Sequence, residues 1–308
     1  MTDTIIIVGV SGFIGRVISH FLVEKGYRVK GFTRSRTNAE QLKQTGVEPV
    51  LWDGHILNGW EEHLENVHAI INLSGENIGA GRWTAERKKQ ILSSRTKPGQ
   101  LLTNAVDKTK NKPRIFIQAS AVGFYGTHED YEFEECSKKG EGFLSDVVQQ
   151  CEESTSYIET MGTRRIICRF GVVLGKNGGA LDKMIYPFKL FVGGKLGNGK
   201  QWFSWIHIDD LIHGIAFLLE REESRGIYNF TSPNPVTNRQ FAEIAGKVLK
   251  KPSIFSTPSF ILKWILGEMA EQLLLNGQKV LPARLLNEGF SFRYPSLEMA
   301  FREILDKR

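Results

Sequence analysis

Apolar and polar positions along the chain switch between two periods, and the switching predicts an architecture. Residues 5–8 form an unbroken aliphatic run, Ile-Ile-Ile-Val, as a strand requires when both of its faces are covered. A helical stretch follows over residues 12–25, Gly26 stops it, and residues 28–33 read as a second strand. Further strands are predicted at 47–52, 69–73, 114–119 and 165–170. Between the last two, Leu144, Val147, Val148, Cys151, Thr155 and Ile158 fall on one face at helical spacing. Strands alternating with helices predict an α/β fold, a Rossmann-type doubly wound parallel sheet. After Gly171 the texture changes. Gly178-Gly179, Gly193-Gly194 and Gly197-x-Gly199 mark loops, and Pro233, Pro235, Pro252 and Pro258 divide short helices.

Bulk properties add little to this picture. A chain of 308 residues is long enough for one large α/β domain with an appendage. The net charge of +6 is scattered among nearly as many acids, without the basic block that tracks a phosphate backbone, so no nucleic-acid partner is expected. The three cysteines, Cys136, Cys151 and Cys168, lack metal-ligand or redox spacing, and their odd number argues against a disulfide framework. Reduced thiols in a cytoplasmic protein are expected, with no metal. Residues 5–8 are too short a run for a signal peptide or a span, and no stretch of 18 apolar residues occurs, so no membrane partner is expected either.

Candidate chemistry begins at the first turn. Gly9-x-x-Gly12-x-x-Gly15 follows a buried strand, opens a helix and precedes a second strand within about thirty residues, the setting a dinucleotide fingerprint needs. Gly9 allows the tight turn, Gly12 clears the backbone's approach to a pyrophosphate, and Gly15 lets helix pack on strand. The helix N-terminus offers free N–H groups to phosphates, so Ser11, Phe13 and Ile14 join the candidate site. At the end of strand two the sequence has Thr33-Arg34-Ser35-Arg36 where NAD enzymes carry an acid for the ribose 2′-hydroxyl. The Arg34 fork and the Ser35 hydroxyl suit a 2′-phosphate, so NADP(H) is the expected cofactor. Asp53 could meet the adenine or form a turn, and Leu73-Ser74-Gly75 could pass the backbone close to the ribose and phosphates. The chain then divides into a mainly NADP-binding Rossmann domain over residues 1–175 and a mainly smaller substrate-side region over 176–308. Segments such as 200–230 are expected to return to the first.

With these elements in place the chain resembles the extended short-chain dehydrogenase/reductases, the NAD(P)-dependent epimerase/dehydratase superfamily, and within it an uncharacterised, atypical "epimerase family protein" subgroup. The resemblance rests on VGVSGFIG, INLSGENI, the Arg82-Trp83-Thr84 turn, Ser94-Arg95, ASAVGFYG, RFGVVLG, WIHIDD and GQKVLPARLLNEGFSF, which together span nearly the whole chain. It implies the fold and the cofactor, and hardly constrains the substrate; a homodimer is the default for the superfamily. It also exposes a departure. The helix that carries Tyr-x-x-x-Lys in ordinary members reads Phe143-Leu144-Ser145-Asp146-Val147-Val148-Gln149-Gln150, with neither residue.

The remaining candidates for chemistry lie at the strand ends. Ala119 and Ser120 close strand five, and Ser120 matches the superfamily's catalytic serine. Tyr125 is the best remaining proton donor, or else a pocket wall. Arg169 closes strand six, where it binds cofactor or substrate or pairs with an internal acid; the resemblance makes Glu152 a structural anchor. His207 and Asp209 are read as a strand-to-helix corner with Asp209 as N-cap. Trp83, Trp202, Trp205 and Met184 are grouped as a candidate apolar wall. These readings favour an NADP(H)-dependent oxidoreductase acting on an unidentified small carbonyl or alcohol. The alternatives are a non-catalytic NADPH-binding sensor and a nucleotide-sugar epimerase.

Overall fold

The computed structural model describes residues 3–305. Seven parallel strands form the central sheet: β1 (Thr4–Val8), β2 (Arg28–Thr33), β3 (Glu48–Leu51), β4 (Ala69–Asn72), β5 (Ile115–Ala121), β6 (Arg164–Phe170) and β7 (Gly226–Phe230). Their spatial order is β7-β6-β5-β4-β1-β2-β3, the doubly wound arrangement in which the chain runs one way from β1 and then returns to build the other half. The topological switch point therefore lies between the carboxyl ends of β1 and β4.

The all-aliphatic β1 shows why such a strand needs no polar face. Ile5 and Ile7 pack into one core with Ile18 and Leu22 of the helix α1 (Phe13–Glu24) and Leu42 of the helix α2 (Arg36–Gln44). Ile6 and Val8 point the other way, into a second core with Leu102 and Val106 of the long helix α3 (Ala85–Lys108). A third core, around Trp205, Phe241, Leu297 and Phe301, holds the C-terminal part together. The helix Ile208–Glu220 packs on the first core and leads into β7 at the sheet edge, so residues 208–230 belong structurally with the sheet.

Two local expectations change. The amphipathic helix, α4 (Phe143–Glu153), stops before Thr155 and Ile158, which continue into a tighter turn at Ser156–Met161 while remaining buried. At the WIHIDD corner the N-cap is His207, not Asp209: the His207 Nδ1 accepts the Asp209 backbone N–H at 3.1 Å. With Nδ1 an acceptor, Nε2 carries the proton and faces Glu303 at 3.1 Å, tying the last helix, Leu297–Leu305, to the corner. Asp210 instead receives the backbone N–H groups of Arg293 and Tyr294. Among the described residues no helix is long and apolar enough to cross a membrane.

Burial raises the Glu303 pKa, but hydrogen bonds from Lys176 and His207 outweigh it and hold the carboxyl below its usual range. A depressed carboxyl contributes stability that is present above its unfolded pKa and lost as pH falls through the folded one. Glu303→Gln should therefore lower Tm near neutrality, and the gap to the unaltered protein should narrow as pH falls below about 4. A gap that stays constant across that range in a pH series of thermal melts would contradict this.

Candidate functional site

The turn after β1 sits at the switch point. Gly9 has φ +80, and a Cβ there would stand 2.8 Å from the Leu73 carbonyl oxygen. At Gly15 a Cβ would meet the Gly9 carbonyl oxygen at 2.3 Å. Both glycines are thus demanded by the protein's own packing. Gly12 is different. Its backbone is extended (φ −72, ψ 172), and an added Cβ would find only the Gly9 oxygen, at 3.2 Å. Among the described residues, chain neighbours aside, no other atom lies within 4 Å of that position. Gly12 is also the N-cap of α1 and offers no side chain to the first turn, so the free N–H groups there face outward. A phosphate-bearing cofactor fits this cradle.

Around it, Leu73 is drawn into the turn by its N–H to the Val8 carbonyl, at 2.9 Å. The Ser74 hydroxyl donates to Asn72 Oδ1 at 2.6 Å, and Asn72 is held in turn by Gln118 at 2.9 Å. Gly75 lies beneath Arg95, whose guanidinium donates to the carbonyls of Ile91 and Glu76 and so pins this loop to α3. The Phe13 ring packs against Gly175, Gly178 and Gly179, where any Cβ would fall within 3.1 Å of it. Phe13 and Ile14 both lean on the core, so only their backbone faces the cradle. Among the described residues no hydrogen bond engages the Ser11 hydroxyl, and the Ser11 carbonyl accepts from the Arg16 guanidinium at 2.9 Å.

The far end of the crevice is a cleft of about 350 Å³ lined by Arg34, Arg36, Leu51, Trp52, Asp53 and Asn58. Ser35 is the N-cap of the helix Arg36–Gln44, accepting the Asn38 N–H, while Thr33 Oγ1 accepts the Ser35 N–H. The Ser35 hydroxyl proton is not used in either bond. Arg34 and Arg36 are exposed, and neither forms an ion pair among the described residues. Two guanidinium groups beside a helix N-terminus give the cleft the chemistry that an anion would need. Arg36 was missed by the sequence reading, although its spacing from Arg34 was visible. Asp53 forms a turn: its Oδ1 accepts from the backbone of His55 and Ile56, bonds that hold its carboxyl below the usual range.

At the carboxyl ends of β5, β6 and β7 lies a buried polar network. Arg169, 1% exposed, donates to both oxygens of Glu152 at 2.8 Å each and lies 3.4 Å from the centre of the Phe124 ring. Arg169 also donates to the Tyr125 hydroxyl at 3.0 Å, which donates to Asn229 Oδ1 at 2.7 Å. Ser120 donates to Glu152 Oε1 at 2.5 Å. This corrects two expectations. Arg169 is the internal partner of Glu152 and does not face the cofactor crevice. Tyr125 is 2% exposed, stacked on Phe133, with its single proton and its acceptor position both engaged. Burial pushes its pKa up, with Arg169 opposing the shift. It is a structural member of the network, with no free proton for a substrate. Asn229 and Phe124 completed this network unpredicted, because long-range partners leave no mark on local spacing.

The network sets the polarity of Ser120, which is half-buried. A carboxylate gripped at both oxygens by arginine is an acceptor only. Ser120 must therefore give its one proton to Glu152, and what it can turn to the crevice is a lone pair. The tryptophans do not form a common wall: Trp205 and Met184 belong to the C-terminal core, whereas Trp83 packs edge-on against Phe143 with ring centroids 5.1 Å apart. Beside this face, a smaller cavity of about 160 Å³ opens between the residue 123–127 turn, α4 and residues 271–278.

Switch-point crevice, glycine cradle and strand order together define a Rossmann-type dinucleotide-binding protein. Residues 5–230 match the NAD dependent epimerase/dehydratase family, and residues 257–304 match the Domain of unknown function (DUF1731). The chain belongs to the NAD-dependent epimerase/dehydratase family. It is 38% identical over 301 residues to the Bacillus subtilis epimerase family protein YfhF, covering 97% of each. An Arabidopsis thaliana chloroplastic relative, the epimerase family protein SDR39U1 homolog, is also 38% identical, over 98% of this chain and 86% of its own. The crystal structure of human epimerase family protein SDR39U1 with NADPH superposes with a TM-score of 0.85 at 31% identity, covering 98% of both chains.

Removing one member of the buried network should expose its character. Tyr125→Phe leaves Asn229 Oδ1 and an Arg169 donor without a partner, at a cost of about 1–3 kcal/mol in chemical denaturation. Glu152→Ala strands a buried cation and should cost more, about 3–5 kcal/mol. A Tyr125→Phe variant as stable as the parent would show that the hydroxyl contributes nothing to the fold.

Proposed function

We propose that the chain is an NADP(H)-dependent oxidoreductase that acts on a small carbonyl or alcohol substrate. The observation that carries the cofactor choice is the pair Arg34 and Arg36, cationic and unpaired on the cleft beyond β2, where an NAD enzyme would place an acid. The NADPH in the human relative's structure supports the same preference. On this reading the first turn of α1 and Gly12 hold the pyrophosphate. Arg34, Arg36 and Ser35 hold the 2′-phosphate, and Leu73–Gly75 and Ala119 line the path between. Bound cofactor supplies or accepts a hydride at its nicotinamide.

The chain's own contribution to chemistry is narrow. Ser120 accepts a hydrogen bond from a substrate hydroxyl and so orients the carbon that bears it. The Glu152–Arg169 pair holds Ser120 in that state and takes no direct part. No Tyr or Lys on α4 is available to move a proton, and Tyr125 is committed elsewhere. That shortage supports a second reading, a non-catalytic NADPH-binding sensor. The nucleotide-sugar epimerase alternative lacks its usual base on α4. Three unpaired cysteines, two of them buried, suit a reducing cytoplasmic setting.

Calorimetry should find NADPH bound more tightly than NADH, and Arg34→Ala should remove about 1.5–3 kcal/mol of that difference. Equal affinities in the unaltered protein would overturn the assignment. Gly12→Val should abolish binding while lowering the thermal melt less than Gly15→Val does, because its Cβ meets only the Gly9 oxygen within the chain. A Gly12→Val protein that binds NADPH normally would place the phosphates elsewhere. A screen of NADP+ reduction by small alcohols and of NADPH oxidation by aldehydes and ketones that also carry a hydroxyl separates the enzyme from the sensor.

A further inference from the structure

Sixteen large hydrophobic residues are exposed among the described residues, and ten of them lie in two short segments, 186–196 and 250–266. The segments are adjacent. Strand Phe255–Thr257 pairs in parallel with Gly194–Leu196, and the Lys251 Nζ sits 3.6 Å from the centre of the Phe191 ring. The helix that follows, Ser259–Leu266, reads SFILKWIL and buries none of its residues. Within this area Ile254 is 83% exposed, Trp264 80% and Phe260 71%. Leu190, Phe191 and Val192 each expose about half their surface (54%, 54% and 53%). A monomer rarely leaves a continuous apolar area of this extent facing water.

The charge around the patch selects its occupant. The two segments contain five lysines (Lys189, Lys195, Lys250, Lys251 and Lys263) and no Asp or Glu. Among the described residues, only Lys263 forms an ion pair, with Glu271 at 3.0 Å. A second copy would bring a like-charged rim against this one, and the nearest acids along the chain, Glu268 and Glu271, are already engaged by Lys88 and Lys263. The helix turns only Leu262 and Leu266 partly inward and leaves its other side chains exposed, a ridge and not a groove for a peptide. Large aromatic and aliphatic side chains with interspersed lysines suit a surface that is apolar in depth and anionic at its boundary.

We propose that this face seats the protein on an anionic lipid surface, with Phe260, Trp264 and Ile254 entering the acyl boundary and the lysines meeting the headgroups. The expectation of no membrane partner rested on the lack of a spanning run, and surface seating needs none. The face adjoins the substrate side of the molecule, since Glu271, the partner of Lys263, lines the 160 Å³ cavity.

The test is flotation of the full chain with phosphatidylcholine vesicles and with vesicles of phosphatidylcholine and phosphatidylglycerol in equal parts. Each lysine at an anionic surface raises partition roughly fivefold, so the anionic vesicles should capture at least about tenfold more protein, and added salt should reverse the gain. Two double variants at exposed positions, Phe260→Gln with Trp264→Gln and Lys189→Glu with Lys250→Glu, should each lose roughly tenfold or more with unchanged thermal melts. Equal binding to both vesicles, no binding, or binding indifferent to either variant would overturn the proposal. A dimer in analytical ultracentrifugation that Phe260→Gln with Trp264→Gln dissolves would also overturn it, and would assign the face to a second copy.

Discussion

An arginine that is 1% exposed at the meeting of β5, β6 and α4 must have its charge answered inside the protein. Glu152 does so with both oxygens, and much of the surrounding structure is arranged around that contact. Turning Glu152 inward fixes the rotation of α4, which lays Val148 and Cys151 toward the sheet. The spare donor of Arg169 positions Tyr125, Tyr125 engages Asn229, and the Asn229 amide donates to the Leu281 carbonyl, so the network reaches the C-terminal part of the chain. A buried ion pair alone adds little net stability, because desolvation offsets attraction. A network whose donors and acceptors are matched defines one geometry. Here that geometry includes the direction of a single proton, the one on Ser120.

The glycine turn illustrates a separation between what a fold needs and what a ligand needs. Gly9 and Gly15 are required by contacts within the chain, and a sequence motif that stopped there would describe a tight β-to-α connection. Gly12 meets almost nothing, adopts a backbone any residue can adopt, and stands at a helix N-terminus without a capping side chain. A small residue in open space is explained by a body that enters the space. The same logic applies across the crevice, where Arg34 and Arg36 have no acid of their own.

The sheet was legible because its signal is local. The runs at residues 5–8, 69–73 and 114–119 carry enough aliphatic residues to mark strands covered on both faces, and the glycine spacing marks the first turn without help from distant residues. The site was legible only as far as the cofactor's end. Nothing in the sequence around Tyr125 reveals that its hydroxyl is buried between Arg169 and Asn229, the latter 104 residues away. Asp209 looked like a cap because acids commonly are; the preceding His207 takes the role because its ring nitrogen reaches the same N–H. The helix Ser259–Leu266 gives no sign in its sequence that most of its apolar side chains stay exposed, and only the fold reveals it.

Cations in this chain meet three fates, and the differences carry its functional meaning. Arg164 donates to carbonyls of Leu218, Leu219, Arg221 and Ser224, the negative end of the helix Ile208–Glu220, and serves architecture alone. Arg169 is neutralised by Glu152 and serves the site indirectly, through Ser120. Arg34 and Arg36, and four of the five lysines around the exposed helix, form no ion pair among the described residues; the fifth, Lys263, pairs with Glu271. Charge satisfied within the fold is desolvated once, during folding, and its partner is fixed. Charge left open keeps its hydration, and it can meet an anion only where the surrounding surface favours one. On the readings proposed above, the crevice and the apolar face are two such regions of one molecule. They differ in what lies between the charges: an open cleft with two guanidinium groups at its edge suits a phosphate group, and a broad apolar surface suits an interface that is itself apolar underneath.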